Sequence, residues 1–216
     1  MSPRGKGGTQ DRPAPRHANP SVRPALSREF IALHKQRRIM DALAELTAEQ
    51  GYEATKISDI VKRAGVARKT LYDNFEGKEE VFLAAFDSAR DEVLRRVEEG
   101  GADVEGGWQE RIEGGLAAFL GFVAEQPTVA RMCMIEALSA TPATTKRYED
   151  ALDAFVEQTR KTLPDDDRLP DTIAETLVGG VAWIVYQQIR RGEAERAEDL
   201  LPELTEFMAA PYLASA

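Results

Sequence analysis

The densest group of side chains suited to recognition chemistry is the run Arg68, Lys69, Thr70 and Tyr72. Two long cations, a hydroxyl and a phenol are the donors that reach base edges and phosphates in a major groove. Elsewhere, reactive residues are sparse. The two histidines, His17 and His34, both lie in the basic N-terminal region, and neither has a second His or Cys at ligand spacing, so no metal site is expected. Without a histidine beyond residue 34, neither a Ser-His-Asp nor a Cys-His arrangement can be built in the rest of the chain, which argues against an enzyme. Glu136 is the one carboxylate deep in an apolar helical context, and one carboxylate does not make an acid–base pair. The single cysteine, Cys133, permits no internal disulfide and reads as a buried, inert thiol. Asp165, Asp166 and Asp167 form a charge run between helices with no oxygen-ligand spacing after it, and are read as solvated. No cofactor is expected.

The elements that must position these residues are helical, and no strand signal or internal repeat interrupts them. Ile57, Ile60, Val61 and Ala64 recur at helical spacing, with Thr55 placed as an N-cap. Gly65 suits the left-handed conformation that ends such a helix. A second short helix follows from Arg68 to Phe75, in which Leu71 and Phe75 share the inward face and Arg68, Lys69 and Thr70 point elsewhere. Before this pair, the spacing of Phe30, Ile39, Leu43 and Leu46 predicts a long helix from about Ser27 to Gln50. After it, Val81, Phe82, Ala85, Phe86, Ala89 and Val93 predict another from Lys78 to Gly100-Gly101. Trp108 to Val123, Val129 to Leu138, Tyr148 to Val156, Asp171 to Arg191 and Leu201 to Met208 continue the pattern, with Pro127, Pro142 and Pro164 at the corners.

The run AGVARKTLYDNFEGKEEVF resembles the DNA-binding signature of the TetR family of bacterial regulators, with its turn glycine, its Leu-Tyr pair, a Phe three residues later and a Lys opening the next helix. Gly51-Tyr52, Thr55 and Leu83 extend the resemblance to about a quarter of the chain. Ala67 departs from it, standing where the family often has a capping Ser or Thr, at a cost of about 1 kcal/mol of local helix stability. Asn74 stands where an aromatic residue or His is common. The resemblance implies an all-α chain: a three-helix head at residues 27–76, after a disordered basic tail at 1–26, and a ligand-binding and dimerisation body at 77–216. It further implies that Thr55, Lys56, Arg68, Lys69, Thr70, Tyr72, Asn74 and Lys78 contact a double-stranded DNA operator. The last two helices would pair with their copies in a homodimer, through Gly179, Gly180, Leu201, Leu204, Thr205 and Met208. A small, mainly apolar effector would lie among Phe86, Phe119, Met132, Phe155, Trp183 and Tyr186, oriented by Glu136, Tyr148 and Gln187.

Charge agrees with that division. The net charge is −9, yet the chain through Glu80 carries an excess of four positive charges and the remainder a net −13. An acidic body repels DNA and leaves the basic head to engage it. The tail reads either as a solvated extension or as an arm on the phosphate backbone or in a minor groove. No run is long and apolar enough to span a membrane, and the basic start is followed by no apolar stretch of signal-peptide type, so the expected compartment is the cytoplasm. The functional expectation is a repressor released from a pseudo-palindromic operator by its effector. The alternative is an activator or architectural DNA-binding dimer without one, and a further reading is a dimerisation module whose helix-turn-helix touches protein.

Overall fold

The computed structural model describes residues 22–102 and 106–213, with side chains from residue 30 onward. Among the described residues every regular element is helical: α1 (Val22–Gln50), α2 (Ile57–Ala64), α3 (Arg68–Tyr72), α4 (Lys78–Ala102), α5 (Trp108–Glu125), α6 (Pro127–Met134), α7 (Pro142–Thr162), α8 (Ile173–Arg190) and α9 (Leu201–Leu213). Two 3-10 turns, Glu136–Leu138 and Ala194–Leu200, precede α7 and α9. Helix α1 already begins at Val22, inside the segment expected to lack structure, and residues 1–21 of that segment lie outside the described residues.

The chain divides into a unit ending at His34 and a second unit, Lys35–Ala216. In the first, Phe30, Ile31 and Leu33 are exposed on α1. The second holds both the helix-turn-helix and the body, so the expected boundary at residues 76 and 77 falls inside one compact unit. The reason is a shared core. Ile39, Leu43, Leu46, Tyr52, Ile60, Leu71 and Phe75 bury their side chains with Val81, Phe82 and Phe86 of α4, and Met132, Ala137, Ala140 and Ala151 from the body complete the same cluster.

Gly65 closes α2 as its sequence predicts, with φ at +62° and the Val66 N–H turned back to donate to Val61 O at 3.1 Å. A Cβ at that position would meet only the flexible end of exposed Arg38, so it is the positive φ that favours glycine. The cap at the other end of α2 differs from expectation. Lys56, not Thr55, is the N-cap and makes no side-chain cap bond.

A second core joins the body helices. Ile112, Leu116, Leu120 and Val123 of α5 pack with Leu177, Val181, Val185 and Ile189 of α8 and with Leu204 and Met208 of α9. Helix α7 starts on a capping box, in which the Thr144 N–H donates to Thr141 Oγ1 at 3.2 Å and the Thr141 N–H to Thr144 Oγ1 at 3.0 Å. That box fixes the corner at Pro142 and directs α7 alongside α4, where Arg147 and Asp87 lie 3.5 Å apart.

Candidate functional site

In the helix-turn-helix, Leu71 is fully buried and seats α3 on the head, while Arg68, Lys69 and Tyr72 are exposed and Thr70 is half-buried. Truncating Leu71 to Ala should cost about 2–5 kcal/mol, so the outward residues are presented by a well-anchored helix. The Arg68 guanidinium lies 5.6 Å from the centre of the Tyr72 ring, and its Nη2 donates to the Tyr72 hydroxyl at 3.4 Å. Among the described residues neither Arg68 nor Lys69 pairs with a carboxylate, and Lys56 is exposed beside them. Ala67 caps α3 without a side-chain bond, as its residue type dictates.

Three of the expected DNA contacts are otherwise engaged. Thr55 is 1% exposed, and its hydroxyl donates back to Gly51 O at 2.9 Å while accepting from Gln50 Nε2 at 3.4 Å. It fixes the turn after α1 and has no access to a phosphate. Lys78 Nζ donates to Tyr52 O at 2.8 Å and sits 3.9 Å from the centre of the Tyr52 ring, and burial holds its pKa below the usual lysine value against the opposing pull of Glu53. Asn74 Nδ2 donates to Thr70 O at 2.6 Å, closing the end of α3. The surface that remains for recognition is Lys56, Arg68, Lys69, Thr70 and Tyr72.

Between α4, α5 and α7 the body encloses a cavity of about 500 Å³, within the range of small-molecule sites. Its walls are apolar, with Phe86, Ala89, Val93 and Val97 from α4, Leu116, Phe119 and Phe122 from α5, and Leu152 and Phe155 from α7. Phe119 and Phe155 meet with ring centres 5.8 Å apart. The lining runs along α4 from Phe86 to Ala102, about 24 Å at helical rise, so the space is elongated. Phe86 and Tyr148 lie at the end nearest the head, and burial pushes the Tyr148 phenol up. Exposed Glu98, Arg111 and Lys161 lie at the other end. Cys133 also faces the cavity, and burial pushes its thiol up to about 12.

Four of the nine expected ligand contacts, Phe86, Phe119, Tyr148 and Phe155, therefore line one space, and five do not. Met132 is 0% exposed and packs into the head's core. Glu136 accepts a hydrogen bond from the Tyr52 N–H at 3.2 Å. Trp183 is 58% exposed and stacks on Tyr186 with ring centres 5.5 Å apart, which takes both away from the cavity, and Gln187 does not line it either. The residues missed, Ala89, Val93, Cys133 and Leu152 among them, have the helical spacing of ordinary core, and no side-chain type marks the void beside them.

The α8–α9 pair corrects the expected dimer face as well. Leu204 is 2% and Met208 3% exposed, so both are spent holding α9 to its own body. Leu201 and Thr205 are half-buried, and Thr205 Oγ1 is buried without a hydrogen-bond partner. A Cβ on Gly180 would lie 2.7 Å from the Phe207 ring, so this glycine admits a ring from α9 of the same chain, whereas Gly179 opens on free space. Outward from these helices stand Trp183, Ile184, Phe207 and Leu213, all exposed. Gly179, Gly180 and Trp183 follow a helical spacing opposite to that of buried Ala174, Leu177, Val181 and Val185, and that second phase is the signal that would have found this face.

The sequence pattern of bacterial regulatory proteins of the tetR family matches residues 39–85, which contain α2, α3 and the turn between them. The fatty acid metabolism regulator protein of Bacillus subtilis is 38% identical over 65 residues, 30% of this chain and 34% of that protein, so the match spans about a third of that relative's length. Two solved structures share the fold more completely. The fatty acid degradation regulator FadR of Bacillus halodurans superposes with a TM-score of 0.74 at 18% identity, covering 81% of this chain and 94% of that one. FadR of Bacillus subtilis, in complex with stearoyl-CoA, gives 0.68 at 19% identity, covering 80% and 96%. The helix-turn-helix thus carries the sequence pattern of the tetR family of bacterial regulatory proteins, and the helical body follows the same course as those two solved structures.

Proposed function

We propose that this chain is a cytoplasmic, homodimeric repressor that binds a pseudo-palindromic DNA operator through α2 and α3 and leaves it when a long acyl chain fills the body cavity. The observation that carries the reading is the path of α4. This single helix contributes Val81, Phe82 and Phe86 to the head's core and then forms a wall of the cavity as far as Ala102. A ligand that fits the cavity better with the heads in one orientation shifts the population toward that orientation. An elongated apolar space with Arg111 and Lys161 at its exposed end suits an acyl chain with an anionic head group, the kind of molecule bound in the Bacillus subtilis FadR structure.

The dimer reading rests on Trp183, Ile184, Phe207 and Leu213, a patch of exposed large apolar side chains across α8 and α9 beside open Gly179. A two-fold pairing there presents two copies of α3 to successive major grooves. The test is a binding isotherm on DNA selected from random sequence, repeated with stearoyl-CoA. Loss of binding as the acyl-CoA is added supports the reading. Operator affinity unmoved by saturating stearoyl-CoA and by a series of shorter acyl-CoAs refutes the effector role.

A further inference from the structure

Helix α6 has two faces with different neighbours. Met132 is buried with the apolar residues of the head, while Ala130, Cys133 and Met134 line the cavity. The 3-10 turn that follows carries Glu136, whose Oε2 accepts from the Tyr52 N–H at 3.2 Å. The Tyr52 residue is gripped elsewhere too, since Lys78 Nζ donates to its carbonyl at 2.8 Å and its ring packs edge-on to Phe82 with centres 5.4 Å apart. Tyr52 thus joins the head to α4 through one link and to α6 through another.

The second link is poised. The other carboxylate oxygen of Glu136, Oε1, lies 3.9 Å from Arg131 Nη2, beyond hydrogen-bond reach, and Arg131 Nε is buried with no hydrogen-bond partner. One carboxylate stands between a backbone donor that it uses and a guanidinium that it nearly reaches. A displacement of about 1 Å would bring the pair to hydrogen-bonding distance. A two-pronged grip by Arg131 takes both carboxylate oxygens and satisfies the orphaned Nε, at the expense of Tyr52.

Resting on the acyl-responsive reading above, we infer that Glu136 is a positioning residue that exchanges the Tyr52 N–H for the Arg131 guanidinium when the cavity fills. A chain pressing on Ala130, Cys133 and Met134 moves α6, and the turn holding Glu136 moves with it. The head then keeps its tie to α4 through Lys78 and loses its tie to α6. The carboxylate contributes no contact to the ligand; it converts occupancy into a change of partner.

The experiment measures operator affinity with and without saturating stearoyl-CoA for the wild type, Arg131→Met and Glu136→Gln. Stearoyl-CoA affinity without DNA and hydrogen exchange at the Tyr52 amide are measured alongside. The amide introduced by Glu136→Gln still accepts from the Tyr52 N–H yet lacks the charge that draws Arg131, and Arg131→Met leaves the carboxylate no alternative partner. Both variants should bind operator and stearoyl-CoA as the wild type does, while the ratio of operator affinities falls about tenfold, the scale of one charged hydrogen bond. Stearoyl-CoA should speed exchange at Tyr52 in the wild type and leave it slow in Arg131→Met. A responsive wild type beside variants with an undiminished ratio, or with Tyr52 exchange indifferent to stearoyl-CoA, refutes the exchange of partners alone. A wild type that binds operator and ignores stearoyl-CoA refutes the ligand reading and this inference together.

Discussion

Replacing Lys78 with Met separates two roles for the lysine that opens α4. The family resemblance assigns it to a DNA phosphate. In the structure its ammonium donates to Tyr52 O at 2.8 Å and lies 3.9 Å from the centre of the Tyr52 ring. Methionine keeps most of the aliphatic stem and removes the charge. The lost charged hydrogen bond is worth about 1.5–3 kcal/mol, and the lost cation–π contact about 0.5–2 kcal/mol. Against these stands the relief of burying a charge, visible as the lowered Lys78 pKa. The net destabilisation expected is about 1–3 kcal/mol, read from the midpoint of urea unfolding at unchanged slope. Operator affinity measured over a salt series then reports the phosphate count. A lysine committed to Tyr52 leaves the slope of log K against log salt as in the wild type, whereas a phosphate contact lowers it by about 0.9. A variant with unaltered stability and a slope reduced by that amount would show the internal assignment to be wrong.

Three other substitutions or treatments test the remaining parts. Trp183→Asp places a charge in the exposed α8–α9 patch, away from either core; sedimentation should show monomers and operator affinity should fall with dimerisation, while thermal unfolding at monomer concentrations stays within about 0.5 kcal/mol of the wild type. Phe155→Trp enlarges a ring that faces the cavity and should abolish the response to stearoyl-CoA with operator binding intact; loss of DNA binding or folding in this variant would identify Phe155 as indispensable packing. Cys133, with its thiol pushed from 9.0 up to about 12, should hold about a thousandfold less thiolate at pH 8 than an ordinary thiol and label correspondingly slowly with a thiol reagent. Because this acid has its pKa raised in the folded state, its contribution to stability is present below pH 9 and lost as pH climbs from 9 towards 12, so wild type minus Cys133→Ala stability should decline across that window.

Much of the architecture was legible because period and punctuation agree. Gly65, Pro127 and Pro142 each end or start a helix where their backbone preferences require, and Leu71 turns inward four residues before Phe75. What could not be read is which neighbour a given side chain meets. Lys78 and Thr55 have the chemistry of phosphate ligands, and only their placement beside the Tyr52 carbonyl and the Gly51 carbonyl commits them inward. Met132 and Cys133 are adjacent on one helix, yet one enters the head's core and the other the cavity. Leu204 and Met208 share helical spacing with each other and give no sign that their own body, not a second copy, covers them. Trp183, expected in the cavity, falls instead on the helical phase opposite buried Leu177, Val181 and Val185, so its outward position was legible in the spacing of α8.

The position of the cavity's open end bears on the order of events. Glu98, Arg111 and Lys161 lie near the far end of α4, and the 20 residues from Lys78 to Glu98 put about 30 Å between that end and the start of the helix in the head. If the heads occupy DNA as proposed, that entrance stays uncovered, and an incoming molecule need not wait for the protein to fall off. Derepression would then begin on the operator itself, its rate rising with effector concentration instead of being capped by spontaneous departure. A gene under such control could be switched on faster than the unliganded complex dissociates, so tight silence and quick response would not have to be traded against each other.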